Sequence, residues 1–237
     1  MNSLLISSSD APDGRYFGHC EDDVTSFLNN LPGKYVLFVP YAIKDVDGYA
    51  AATRKFFEKA GYAFQSIHDL TNPSQMIDDI DLKAIFIGGG NTFRLLKTLQ
   101  DLDLLDVIKR KVEQGAGYMG TSAGSNMACP TIMTTNDMPI VKPKDFNALN
   151  LVDFQINPHF VPGSLIEGHQ GETREQRIKE YHEENDRAVI GLPEASWIRV
   201  TDNKIVLRGG PNALIFEKDT PVHEWRIDSE LSLHTTV

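Results

Sequence analysis

Apolar residues in this chain gather in short runs, separated by longer stretches in which apolar and charged positions recur at helical spacing. The runs are Leu4-Leu5-Ile6, Tyr35-Val36-Leu37-Phe38-Val39, Tyr62-Ala63-Phe64, Ala84-Ile85-Phe86-Ile87 and Gly117-Tyr118-Met119. Between them, Tyr49 to Ala60 has one apolar and one charged face, and Leu102 to Gln114 places Leu104, Leu105, Ile108 and Val112 on one side. Strand alternating with helix predicts an α/β fold with a mostly parallel central sheet covered on both faces. Ligands of such sheets bind beyond the carboxyl ends of the strands, so the loops at those ends carry the interest.

The fifth run enters Gly120-Thr121-Ser122-Ala123-Gly124, a G-x-S-x-G turn. Glycines at positions 120 and 124 let the chain bend sharply and let neighbouring segments approach, so Ser122 is held out at the strand end as in a nucleophile elbow. Pro130 predicts that the following helix is short. The fourth run ends in Gly88-Gly89-Gly90-Asn91-Thr92, followed by a helical segment. Three glycines before a helix start expose backbone N–H groups to an anion. A Walker loop would need Gly-Lys-Ser/Thr after the glycines and a Rossmann loop would need them after the first strand, so an oxyanion suits this loop better than a nucleotide phosphate.

Further along, Asp137 lies in a polar pocket of sequence between apolar residues, where a loop aspartate usually caps local N–H groups. Leu149 to Ile156 reads as a strand ending in Asn157-Pro158-His159-Phe160, and a histidine fixed in direction by the chain suits a general base. Five of the seven histidines, at positions 19, 68, 182, 223 and 234, read as surface residues; His169, in a glycine-flanked loop, is a rival to His159. Glu172 to Tyr181 reads as a helix opening with Arg174 in its first turn, where a solvated charge paired with an i+4 neighbour is the ordinary expectation. Ala188 to Pro193 is another buried strand, ending in the acidic Glu194. Turn residues at Asp202-Asn203 and Gly209-Gly210-Pro211-Asn212 predict hairpins and antiparallel additions from the C-terminal part, in the same sheet or in a small flanking one.

Composition narrows the partners. A chain of 237 residues with 41% hydrophobic and 24% charged residues is ordinary for a folded soluble protein, and one α/β domain over 1–237 is the simplest division. The net charge of −10, without a Lys/Arg cluster, argues against nucleic acid. Two cysteines, Cys20 and Cys129, are too few for a disulfide framework. The first residues lack a basic leader pattern, and no apolar run approaches the roughly 18 residues of a membrane span, so a cytoplasmic protein without a membrane partner is expected.

A serine nucleophile needs a base, an acid that fixes the base, and N–H donors for the oxyanion. Ser122, His159, an acidic partner, the Ala123 N–H and one of the Gly89 and Gly90 N–H groups supply that set. No H-E-x-x-H helix is present, and neither a metal nor another cofactor is expected. The stretches Gly88 to Phe93, Ser122 to Gly124, Cys129 to Val141, Gln155 to Phe160 and Gly171 to Arg177 together resemble the peptidase E family of α-aspartyl dipeptidases, in the family's order and over most of the chain. The resemblance implies a cytoplasmic serine peptidase acting on dipeptides and some longer peptides with an amino-terminal aspartate. It also implies a fold related to the class I glutamine amidotransferases, a flavodoxin-like arrangement.

Ser122 and His159 match the family's nucleophile and base. Asp137 and Glu194 both match acidic positions, Asp137 being favoured for the relay to His159. Arg174 matches the arginine that binds the substrate's aspartyl side chain, with Asn91 as a second substrate contact. A guanidinium suits that task because it grips a carboxylate with two parallel hydrogen bonds. A homodimer is compatible with the pattern, which has no handle on oligomeric state. Two other readings stay open: a related serine hydrolase acting on another aspartyl polymer or an ester, and a non-catalytic module that binds an anion at Gly88–Gly90.

Overall fold

The computed structural model describes residues 1–163, 171–202 and 204–233. Its strands are β1 (Ser3–Ile6), β2 (Tyr35–Val39), β3 (Ala63–Ser66), β4 (Leu82–Ile87), β5 (Gly117–Thr121), β6 (Gln155–Pro158), β7 (Val189–Leu192), β8 (Ser196–Thr201), β9 (Lys204–Gly209), β10 (Ala213–Phe216) and β11 (His223–Trp225). The helices are α1 (Glu21–Asn29), α2 (Val46–Lys59), α3 (Pro73–Met76), α4 (Thr92–Asp101), α5 (Leu105–Glu113), α6 (Ala123–Ala128) and α7 (Arg174–Glu184). The five apolar runs become β1 to β5, all parallel, in the order β3-β2-β4-β5-β1. Counted from β2, the first four repeat the flavodoxin order 2-1-3-4. β8 and β9 then extend the sheet beyond β1 with antiparallel pairing.

Period-two alternation fills both faces of this sheet. Leu4, Ile6, Val36, Phe38, Ala84, Phe86 and Met119 pack with Val24, Phe27 and Leu28 of α1 and Phe57 of α2. Leu5, Leu37, Val39, Ile85, Ile87 and Tyr118 turn the other way, onto α4, α5 and α6. On that side the core continues into a second sheet of order β11-β10-β7-β6, through Ile156, Ile190, Leu192 and Ile215. In that sheet β6 and β7 are parallel, while β10 and β11 pair antiparallel.

The second sheet corrects two expectations. The Gly209–Asn212 turn does not close a hairpin, because β9 belongs to the first sheet and β10 to the second. Of the predicted strand from Leu149 to Ile156, only the last two residues are strand, in β6. Upstream, the N–H groups of Leu149, Asn150, Leu151 and Val152 donate to carbonyls of Met127, Ala128 and Cys129. The carbonyls at the end of α6 lack intrahelical donors, and this apolar segment supplies them instead of pairing as a strand.

Both sheets end at one shared edge, and Ser7, directly after β1, joins them. Its N–H donates to the Ser196 carbonyl at 3.1 Å and its hydroxyl to the Leu192 carbonyl at 3.0 Å. The same hydroxyl accepts the His159 N–H at 2.9 Å. The loops after β1, β4, β5, β6 and β7 are thereby gathered from two sheets, not from one as the strand pattern predicted. No helix among the described residues is long and apolar enough to cross a membrane.

Candidate active site

The elbow is built as its glycines require. A Cβ at Gly120 would overlap the Gly124 carbonyl, and one at Gly124 would overlap the Ile87 carbonyl at the end of β4. Ser122 adopts φ 51°, a conformation that non-glycine residues rarely hold without support from their surroundings. That support comes from Ser125, whose buried hydroxyl reaches the Ile6 carbonyl at 2.7 Å and the Gly120 carbonyl at 2.9 Å. The Tyr118 hydroxyl donates to the Gly124 carbonyl at 2.6 Å. Ser122 stands at the N-cap of α6, where a serine usually spends its hydroxyl on a helix N–H, yet it makes no such cap. Its oxygen lies instead 2.7 Å from His159 Nε2.

His159 also has positive φ, 55°. Its strand is pinned by amides and hydroxyls from α6 and the loop after it. Asn126 Nδ2 and Thr134 Oγ1 both donate to the Ile156 carbonyl, at 2.7 and 2.8 Å. Asn136 Nδ2 donates to the Pro158 carbonyl at 2.8 Å, and Asn157 Nδ2 returns to Asn136 Oδ1 at 2.8 Å. The far ring nitrogen, Nδ1, lies 2.5 Å from Glu194 Oε1. Parallel pairing of β6 with β7, with Pro158 opposite Leu192, sets His159 and Glu194 on adjacent strand ends. Ser122, His159 and Glu194 therefore form one continuous hydrogen-bonded line.

Asp137 is not in that line, which corrects the relay favoured from sequence. Its Oδ2 accepts the Thr92 N–H at 2.7 Å and the Thr92 hydroxyl at 2.5 Å, with the Thr135 hydroxyl at 3.2 Å. It caps the start of α4, the ordinary role of a loop aspartate. Asn91 is likewise occupied. Its Oδ1 accepts the Arg94 N–H at 3.0 Å and its Nδ2 donates to the Met138 carbonyl at 2.8 Å, so the side chain ties the start of α4 to the segment around Met138.

Arg174 is the first residue of α7, which opens with a capping box: Thr173 accepts the Gln176 N–H, and Gln176 reaches back to Thr173. A cation at this end opposes the helix dipole. Its i+4 neighbour is the buried Ile178, and among the described residues Arg174 has no ion pair. Burial first, then the Arg177 guanidinium, push its pKa below the ordinary value, while the Asp137 carboxylate pulls it back up. The surface pairing expected from sequence is absent, and a half-buried cation is left facing the cap of α4.

The three glycines after β4 are small for three different reasons. A Cβ at Gly88 would overlap the Tyr49 hydroxyl, one at Gly89 would sit 3.3 Å from Ser122 Cβ, and one at Gly90 would sit 2.6 Å from Ile43 Cγ2. Gly90 also has φ +132°. Among the described residues the N–H groups of Gly89, Gly90 and Ala123 make no hydrogen bond.

Strand-end reasoning found Ser122, His159 and Glu194 but missed Ser7, although Ser7-Ser8-Ser9 follows β1 at the same edge. The amides of Asn126, Asn136 and Asn157 carried no signal of their own. His169 and His234 lie outside the described residues. Among the described residues no group of three His, Cys, Asp or Glu side chains is arranged to hold a metal ion.

Known proteins resemble this chain in sequence and in fold. The family model for Peptidase family S51 matches residues 3–208. A Streptomyces coelicolor protein named peptidase E is 45% identical over 98% of this chain and 94% of its own length. A Drosophila melanogaster protein named "Probable alpha-aspartyl dipeptidase" is 39% identical over 94% of this chain and 92% of its own. The crystal structure of a peptidase from an acI-B1 actinobacterium, 15% identical, superposes with a TM-score of 0.68 over 98% of this chain and 96% of that one, a likeness of fold. On sequence, the chain belongs to Peptidase family S51.

Proposed function

We propose that this chain is a serine dipeptidase that hydrolyses dipeptides and short peptides with an amino-terminal aspartate. The reading is carried by the line from Ser122 Oγ through His159 to Glu194, 2.7 and 2.5 Å between successive partners. It is supported by the peptidase E and aspartyl dipeptidase names of the relatives.

Ser122 Oγ attacks the carbonyl carbon of the aspartyl residue while its proton passes to His159 Nε2. Glu194 accepts the Nδ1–H, which keeps the second nitrogen free to take that proton and stabilises the imidazolium formed. The oxyanion takes the Ala123 N–H and one of the Gly89 and Gly90 N–H groups. His159 then protonates the leaving amine, the C–N bond breaks, and an aspartyl ester remains on Ser122. Water, deprotonated by His159, attacks that ester, and free aspartate leaves as Ser122 regains its proton.

Arg174 is the group in this reading that selects the substrate, by pairing with its side-chain carboxylate. The whole chain carries a charge of −10, so an anionic peptide needs a local cation at the site. Arg174→Ala is expected to lower kcat/KM for Asp-Leu by about a hundredfold or more, since a carboxylate would be left unpaired at about 3 kcal/mol or above. Hydrolysis of a neutral ester should stay within a few-fold. Equal losses on both substrates would remove Arg174 from substrate selection. A cytoplasmic setting fits two buried, unbridged thiols, Cys20 and Cys129, which burial pushes up to about 12 and makes unreactive.

A further inference from the structure

Nucleophile and base come from different sheets. Ser122 follows β5 of the first and His159 follows β6 of the second, yet Ser122 Oγ lies 2.7 Å from His159 Nε2. Two consecutive residues at the end of β1, Ile6 and Ser7, touch both. The Ile6 carbonyl accepts the Ser122 N–H at 3.0 Å and the Ser125 hydroxyl at 2.7 Å, which fixes the elbow to β1. One residue on, Ser7 Oγ accepts the His159 N–H at 2.9 Å and donates to the Leu192 carbonyl at 3.0 Å. The need for that oxygen arises in the pairing of β6 with β7. Pro158, opposite Leu192, has no N–H to donate, and the Phe160 N–H returns to the Leu192 carbonyl at 3.1 Å. Between them His159 turns away from the pairing at φ 55°, a conformation that a non-glycine residue keeps only where its surroundings impose it. Ser7 is fully buried, so its hydroxyl, and not bulk water, receives the His159 N–H there.

A base takes a proton efficiently only if it is held within hydrogen-bond reach of the nucleophile when the substrate arrives. We propose that Ser7 is a positioning residue for catalysis: with the Ile6 carbonyl on the elbow and the Ser7 hydroxyl on the His159 peptide, one step of the chain fixes the distance between nucleophile and base across the two sheets. Because the Ser7 proton is directed at the Leu192 carbonyl, a lone pair is left for the His159 N–H. The same oxygen therefore holds the strand of the base and, two residues before Glu194, the strand of the acid. Ser7 acts through the backbone of His159 and takes no part in the proton transfer. The assignment rests on the reading of Ser122 as nucleophile. It goes beyond that reading by naming what keeps the base at its working distance.

Ser7→Ala deletes the hydroxyl and leaves the Ile6 carbonyl in place. Three quantities decide: kcat and KM on aspartyl p-nitroanilide, the second-order rate at which a fluorophosphonate labels Ser122, and the melting temperature. Ile108→Val, a change in the core on α5, serves as a destabilised control away from the site. The expected result for Ser7→Ala is a fall of roughly tenfold to a hundredfold in both kcat and labelling rate, the scale of a misplacement of about 1 Å, with KM within about twofold. The control should melt earlier and keep its kcat. A lower melting temperature for Ser7→Ala with kcat and labelling rate unchanged would overturn the assignment, as would a loss confined to KM or an equal loss of kcat in the control. If Ser7→Ala does not fold, Ser7→Cys puts a weaker acceptor in the same place; a smaller loss in both rates is expected, and none would overturn the assignment. If the wild-type chain is labelled at Ser122 but leaves aspartyl substrates intact, the substrate reading fails alone, and the labelling rate of Ser7→Ala still decides the role of Ser7. A wild-type chain that is not labelled would overturn the reading of Ser122, and this assignment with it.

Discussion

Ser122→Ala is expected to reduce hydrolysis of Asp-Leu by roughly 10⁴-fold or more, the scale seen when a serine nucleophile is removed and only binding and the oxyanion hole remain. The fold should survive the change. The Ser122 side chain caps no helix N–H, its hydroxyl bonds only to His159 among the described residues, and the strained backbone is held by Ser125, Tyr118 and the Ile6 carbonyl. Alanine also meets the same φ of 51° without a new clash, so the melting temperature should move by no more than a few degrees. Asp-Leu should still bind, measured by calorimetry on the inactive variant. Retained turnover with intact folding would mean that another group attacks the peptide.

The second large effect concerns the acid. Glu194→Gln is expected to lower kcat by about 10²- to 10⁴-fold, because an amide cannot stabilise the imidazolium and, turned with its NH₂ toward Nδ1, selects the wrong tautomer. Asp137→Asn should cost much less catalysis. The amide oxygen can still accept the Thr92 N–H, and the loss falls on the cap of α4, typically about 1 kcal/mol of stability, and on the charge that faces Arg174. The comparison is made on kcat for Asp-Leu, with melting temperatures alongside. The opposite order would return the relay to Asp137 and make the Glu194 contact incidental.

The reason the two acids were ranked wrongly from sequence is physical. Glu194 follows the apolar strand β7 and Asp137 lies in a polar loop stretch, and local pattern describes each segment but not the neighbour to which it is brought. The parallel register of β6 with β7 and the triple role of Ser7 decide which carboxylate reaches His159, and both are long-range. The parallel sheet was legible because five apolar runs and their helices keep distinct periods. The elbow was legible because close backbone approach at Gly120 and Gly124 admits no side chain.

Leu149–Val152 misled for the complementary reason: an apolar run satisfies its backbone equally well by capping a helix end as by pairing in a sheet. Arg174 could be named only through the resemblance. Its lack of an ion-pair partner among the described residues, which sets it apart from a surface charge, is visible only in three dimensions.

The central claim is that the Ser122, His159 and Glu194 line serves peptides whose first residue is aspartate. The most direct measurement compares kcat/KM of the purified chain on Asp-Leu, Asn-Leu, Leu-Leu and acetyl-Asp-Leu. Asparagine keeps the shape of aspartate and removes its charge, so it isolates the carboxylate that Arg174 is placed to bind. The account predicts efficient hydrolysis of Asp-Leu and a loss of at least about a hundredfold on Asn-Leu and Leu-Leu, the cost of roughly 3 kcal/mol for an unpaired charge. It also predicts weak or no hydrolysis once the terminal amine is acetylated. Equal turnover of all four peptides, or no turnover of Asp-Leu, would contradict it.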